Sequence, residues 1–128
     1  MKIHVKVKKE EIRDLLFVIT QAKEAGAINA KNLLIDSREL GLKLVEILSK
    51  KDQKNENDEI KLPLSHWHFD LFFKLLEFVE FQSDIYYQIL IIKIYEQIKK
   101  QTDEAIRNIK AKWIFTGNGN FGKLPGNT

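Results

Sequence analysis

Three stretches of this chain hold residue types that could do chemistry. The first is "GNGNFGK", residues 117–123, with Gly117, Gly119 and Gly122 in G-x-G-x-x-G spacing and Lys123 behind them. Glycines so spaced let backbone N–H groups close on phosphate oxygens. The second is "HWH", His66 and His68, followed by Asp70. Two histidines two residues apart can share one metal ion, and a carboxylate four residues on can orient an imidazole as a general base. The third is a set of cations on one stretch, Lys99, Lys100, Arg107, Lys110 and Lys112, between Tyr95 and Trp113. Cations beside aromatic rings can follow a phosphate backbone while the rings stack on bases.

Each depends on the element that carries it. A dinucleotide fingerprint follows a strand, opens a helix and needs an acid about 20 residues later. Only "KLPGNT" follows Gly122, and four of the six glycines fall in the last twelve residues. The expectation is an irregular Gly/Asn-rich tail, residues 117–128, with Phe121 as its apolar anchor and no phosphate site.

The histidines chelate one ion only on a strand, where residues two apart share a face. On a helix they sit about 200° apart, at ~100° per residue. Ser65 reads as a helix cap, with Leu64 stapled to Phe69, so His66 and His68 fall in a first helical turn. His4 is the only other histidine. No metal is expected. The chain has four serines and no cysteine, none of them in a nucleophile motif, so His66 with Asp70 is read as a surface pair. A metal- or histidine-dependent enzyme is the weakest alternative: the chain is expected to be no enzyme and to hold no cofactor.

The basic set is interrupted by Glu96, Asp103 and Glu104, which can pair along a helix with Lys99, Lys100 and Arg107. Charge is nevertheless uneven. The formal net charge is +3, yet residues 1–9 hold four lysines and no acid, while residues 63–92 hold one lysine against four acids. A strand carrying Lys6 and Lys8 beside the last helix would reinforce its cations. Nucleic-acid binding through Lys6, Lys8, Lys99, Lys100, Arg107, Lys110 and Lys112 is therefore carried as an alternative function.

The elements themselves follow from period. "KIHVKVK" alternates strictly, with Ile3, Val5 and Val7 on one face. That predicts a half-buried strand, for which residues 59–63 are the candidate partner; Pro63 suits only an edge. From Glu10 the period becomes helical through Ile12, Leu15, Leu16, Ile19 and Ala22, and Gly26 stands where a helix-ending glycine belongs. Asn29 reads as the cap of a second helix with the stripe Leu33, Leu40, Leu44, Ile47 and Leu48. Ser37 and Gly41 lie in or beside that stripe, as a close-approach face or as weak points. "KKDQKNENDE" has no apolar residue and predicts a solvated loop. No Gly or Pro stands between residues 64 and 116. This predicts a helical hairpin or one long kinked helix, with Ser83 and Asp84 at the break. Its first part, Phe69 to Phe81, is apolar over most of its circumference, which predicts burial on several sides. The stripe Ile94, Ile98, Thr102, Ile106, Ile109 and Trp113 carries the second part onward.

These readings give a mainly α fold: one domain over residues 1–116, a bundle of about four helices with a short N-terminal strand, and the tail. The apolar run at 85–95 is broken by Gln88 and Lys93 and is shorter than the roughly 20 residues that span a bilayer. No membrane association is expected. The N-terminus has no signal-peptide core and the chain no cysteine, so a cytoplasmic setting is expected. So much apolar helix in 128 residues favours a homo-oligomer or a protein partner. The expected function is a small non-enzymatic interaction or assembly module. Its surface residues are Phe73, Phe78, Phe81, Tyr86, Tyr87, Ile91 and, in the tail, Phe121.

Overall fold

A computed structural model of the chain describes residues 2–50, 59–65 and 67–115, with the side chains of residues 113–115 left aside. The elements run β1 (Lys2–Lys8), α1 (Lys9–Glu24), α2 (Lys31–Ser49), β2 (Glu59–Ser65), α3 (His68–Phe81) and α4 (Ile85–Phe115). Four helices pack on a small antiparallel sheet around one core. The loop expected at 50–59, the tail and His66 lie mostly or wholly outside the described residues.

β1 buries every second residue, as its alternation requires: Ile3, Val5 and Val7 are inside, and Lys2, His4, Lys6 and Lys8 are outside. It pairs with β2 in the register His4↔Pro63, Lys6↔Lys61 and Lys8↔Glu59. Leu62 and Leu64 complete the inner face. β2 runs two residues further than expected. Ser65 is its last residue, not a helix cap, and α3 starts at His68 with no side-chain cap bond at its N-cap, Trp67. Instead the His68 ring turns back, and its Nδ1 takes the Ser65 N–H at 3.1 Å.

α1 buries Ile12, Leu15, Val18, Ile19 and Ala22. It ends in a Schellman closure: Gly26 N–H reaches the Lys23 carbonyl and Ala27 N–H the Ala22 carbonyl. Gly26 has φ +76°, a conformation that only glycine adopts without strain. α2 is capped by Ala30 rather than by Asn29, one residue away. Leu33, Ser37, Leu40 and Leu44 are buried, and the Ser37 hydroxyl bonds the Leu34 carbonyl. A Cβ at Gly41 would meet only Leu16 Cδ1, at 3.8 Å, so the glycine is a weak point in α2 rather than a close-approach site.

The hairpin reading is correct. α3 stops at Phe81, the chain turns through Ser83 at φ +59°, and Asp84 caps α4 by accepting the Tyr87 N–H. α3 is less enclosed than its composition suggests. Leu71, Phe72, Leu75 and Val79 are buried, while Phe73 and Phe81 stay outside. α1, α2, α4 and β2 all meet one broad side of this helix.

α4 lies along β1. Gln101 Oε1 accepts the His4 N–H at 3.1 Å, and Gln101 Nε2 donates to the His4 carbonyl at 2.8 Å. Gln97 makes the same pair of bonds to Lys6, at 2.9 and 3.3 Å. Four residues of helix rise about 6 Å and two residues of strand about 6.8 Å, so the spacings match. In an antiparallel pair alternate residues bond outward, so these amides close the edge of β1 that β2 leaves open. Leu90, Ile91, Ile94 and Ile98 fill the core beside them.

Candidate functional site

The residues expected to form a contact surface separate into three places. Ile91 is fully buried and belongs to the chain's own core, so it is not available to a partner. The reason is rotational: α4 carries two apolar stripes, and Ile91 lies on the inner one with Ile94 and Ile98. The outer stripe is Ile85, Ile89 and Ile92, all exposed. Phe73 lies on the outer flank of the hairpin, where it and Phe69 pack on the Tyr95 ring at 6.3 and 4.9 Å between centroids. Phe121 is outside the described residues.

The other four, Phe78, Phe81, Tyr86 and Tyr87, are brought together by the α3–α4 turn. α1 adds Phe17, which sequence reasoning missed. A single Phe outside the helical stripe carries no periodic signal, and only the packing of α1 against α4 places its ring 5.7 Å from that of Tyr87. Tyr86 and Tyr87 meet edge to face at 5.3 Å. This aromatic end of the bundle contains two adjoining hollows. One of about 240 Å³ lies between Phe17, Phe78, Gln82 and Tyr87. One of about 340 Å³ lies between Gly26, Ala27, Phe78 and Phe81, with Lys74 and Glu77 at its rim. Phe78 and Gln82 form the wall between them. Phe81 is 85 % exposed, an unusual position for a side chain that water penalises so heavily.

The electrostatics of this end are negative. Asp14 accepts a hydrogen bond from the Tyr86 hydroxyl, and this bond raises the phenol's pKa well above its ordinary value, with burial adding to it. Burial likewise pushes the Tyr87 hydroxyl up. Both rings therefore stay neutral at physiological pH. Glu77 and Asp84 line the hollows with Lys74, which lies 3.3 Å from Glu77; Asp14 stands on the Tyr86 hydroxyl, and Lys23 lies in the last turn of α1. α1 and α3 end here, where helix C-termini favour cations, while the N-terminus of α4 is met by the Asp84 carboxylate.

The cations expected to bind nucleic acid lie on other parts of the surface. Lys99, Lys100 and Arg107 line a hollow of about 520 Å³ on the α3–α4 flank, floored by Leu76, Ile92 and Tyr95 and shared with Glu96 and Asp103. Lys110 and Lys112 lie further along α4 and are exposed. Lys6 and Lys8 are on the outer face of the sheet with Lys2 and Lys61. No three His, Asp or Glu side chains converge as a metal site among the described residues. No helix there is long and apolar enough to cross a membrane.

Comparison with models of known protein families, with curated proteins and with solved structures finds no match to this chain.

Proposed function

We propose that this chain is a non-enzymatic interaction module that docks an apolar, cationic helical segment at its aromatic end. One observation carries the reading: Phe17, Phe78, Phe81 and Tyr87, from three helices, line two hollows with Glu77, Asp84 and Lys74 among them, and Tyr86 packs beside Tyr87. Aromatic anchors around paired hollows suit the helix-in-groove mode of recognition, in which side chains of successive turns enter successive pockets. Covering a side chain such as Phe81 gains about 1.5–3 kcal/mol, so a few anchors can support a specific contact.

The test is a fluorescence titration with a dye-labelled amphipathic peptide rich in Leu and Lys. Saturable binding is expected, lost in Phe81→Glu while the circular dichroism of the protein is unchanged. Binding that ignores Phe81→Glu and Phe17→Glu alike would move the site elsewhere.

A second reading, nucleic-acid binding, is favoured by a different observation. Gln97 and Gln101 hold β1 against α4, which brings the lysine-bearing strand beside the basic helix. Retardation of single- or double-stranded DNA or RNA that weakens steeply with salt, and in Lys6→Glu with Lys100→Glu, would support it. No retardation at low salt removes it.

A further inference from the structure

The aromatic end has a counterpart on the same molecule. The inner stripe of α4 is buried through Ile98, but it continues past the end of the sheet as Thr102, Ala105, Ile106 and Ile109. Gln101 holds His4 near the start of β1, and beyond it the stripe loses its cover: Ile106 is 44 % and Ile109 56 % exposed. Spacing of 3, 1 and 3 residues keeps these four on one helical face. Over residues 102–112 the ledge holds Arg107, Lys110 and Lys112 against Asp103 and Glu104, and Lys99 and Lys100 stand in the turn before it.

We infer that the segment docked at the aromatic end is the α4 ledge, residues 102–112, of a second copy of this chain. The inference rests on the reading of the aromatic end given above and names its occupant. Three matches support it. The ledge is apolar where the end is apolar, with Ile106 and Ile109 one turn apart to enter the two hollows that Phe78 separates. Its charge is complementary, since Arg107 and Lys110 flank the isoleucines while Glu77 and Asp84 outnumber Lys74 in the lining of the hollows. It is also a helix of about 16 Å, at ~1.5 Å per residue, whose residues 106–110 are exposed and so can reach a neighbour. Donor and acceptor are different surfaces, so the contact is heterologous. It propagates head to tail and closes into a ring or extends as a filament.

The experiment is size-exclusion chromatography with light scattering on the full chain and on two variants. Ile109→Glu breaks the donor and Phe81→Glu the acceptor. Both side chains are largely exposed, so the fold is kept, as circular dichroism checks. The wild type should grow with concentration and shrink with added salt. Each variant alone should be monomeric, and their mixture should form a complex that stops at two chains. A mixture that stays monomeric overturns the head-to-tail contact. A wild type that is monomeric at every concentration overturns it too. If that monomer still binds the Leu/Lys peptide, the reading of the aromatic end stands and only the occupant is wrong; if it does not, both fail. A wild type that associates only after residues 117–128 are deleted makes the chain's own tail the occupant, and also overturns the inference.

Discussion

Gln101 and His4, 97 residues apart, share two hydrogen bonds: the glutamine amide both accepts from and donates to the main chain of the histidine. Gln97 repeats this with Lys6, so two side chains serve as a third strand. Replacing both by leucine removes four bonds. Each is worth about 0.5–1.5 kcal/mol net, toward the low end here because water can replace them at an exposed edge. The expected loss for Q97L/Q101L is about 2 kcal/mol in chemical denaturation. A sharper sign is local: the amides of His4 and Lys6 should lose hydrogen-exchange protection while those of Ile3 and Val5 keep it. Uniform loss across β1 would mean that the whole sheet had loosened instead.

Glu11 joins three elements. Its Oε1 accepts the Lys8 N–H at 2.8 Å, and its two oxygens hold Lys93 at 2.8 and 3.0 Å. The lysine at the N-cap cannot supply an acceptor, so Glu11 is the polar closure of α1. Glu11→Ala should cost about 1–2 kcal/mol, the range of a lost cap plus a partly shielded ion pair. Lys93→Met keeps the cap and should cost less than half as much. Equal losses would show that the ion pair, not the cap, dominates.

The legibility of the fold depended on how many faces an element uses. β1 buries one face and exposes the other, and its alternation shows this at once. α1 has one stripe, and Gly26 ends it where expected. α4 is apolar on both sides of its first half, so periodicity could not say whether Ile91 or Ile89 faces outward. The start of α3 was misread because Ser65 followed by polar residues imitates a cap, whereas pairing of Ser65 with Lys2 carries the strand onward. Gln97 and Gln101 look like ordinary solvent-facing residues, since their partners lie more than 90 residues away. The aromatic end was half visible: the hairpin ring residues are dense in sequence, but Phe17 joins them only through tertiary packing.

Two helices end with the same left-handed residue but not the same side chain. Gly26 at φ +76° closes α1, and Ser83 at φ +59° closes α3. Gly26→Ala should destabilise by about 1 kcal/mol through backbone strain alone, since a Cβ there touches nothing within 4 Å. Ser83→Gly should stabilise by up to about 1 kcal/mol. Gly41→Ala should also stabilise, by about 0.5–1 kcal/mol, because its Cβ has room and alanine is the better helix former. Melting temperatures of the three variants check the signs. A destabilised Gly41→Ala would mean that Leu16 does not yield the space.

His68 makes the joint between β2 and α3 pH-sensitive. Burial pushes its pKa below the ordinary histidine value; the Ser65 carbonyl, Asp36 and Glu39 pull upward, and Lys43 adds to the lowering. The neutral ring is also the form whose Nδ1 can accept the Ser65 N–H. A base whose folded pKa is lowered binds fewer protons folded than unfolded, so its contribution is complete above the unfolded value of about 6.5. The contribution falls as pH drops from there through the lower folded pKa. The melting temperature should therefore decline on acidification from pH 7 to 5. His68→Asn keeps an oxygen that can accept the N–H and cannot titrate, so it should flatten that part of the profile. The difference between the two profiles isolates the contribution of His68. Parallel profiles for wild type and His68→Asn would show that His68 titrates alike in the folded and unfolded chain.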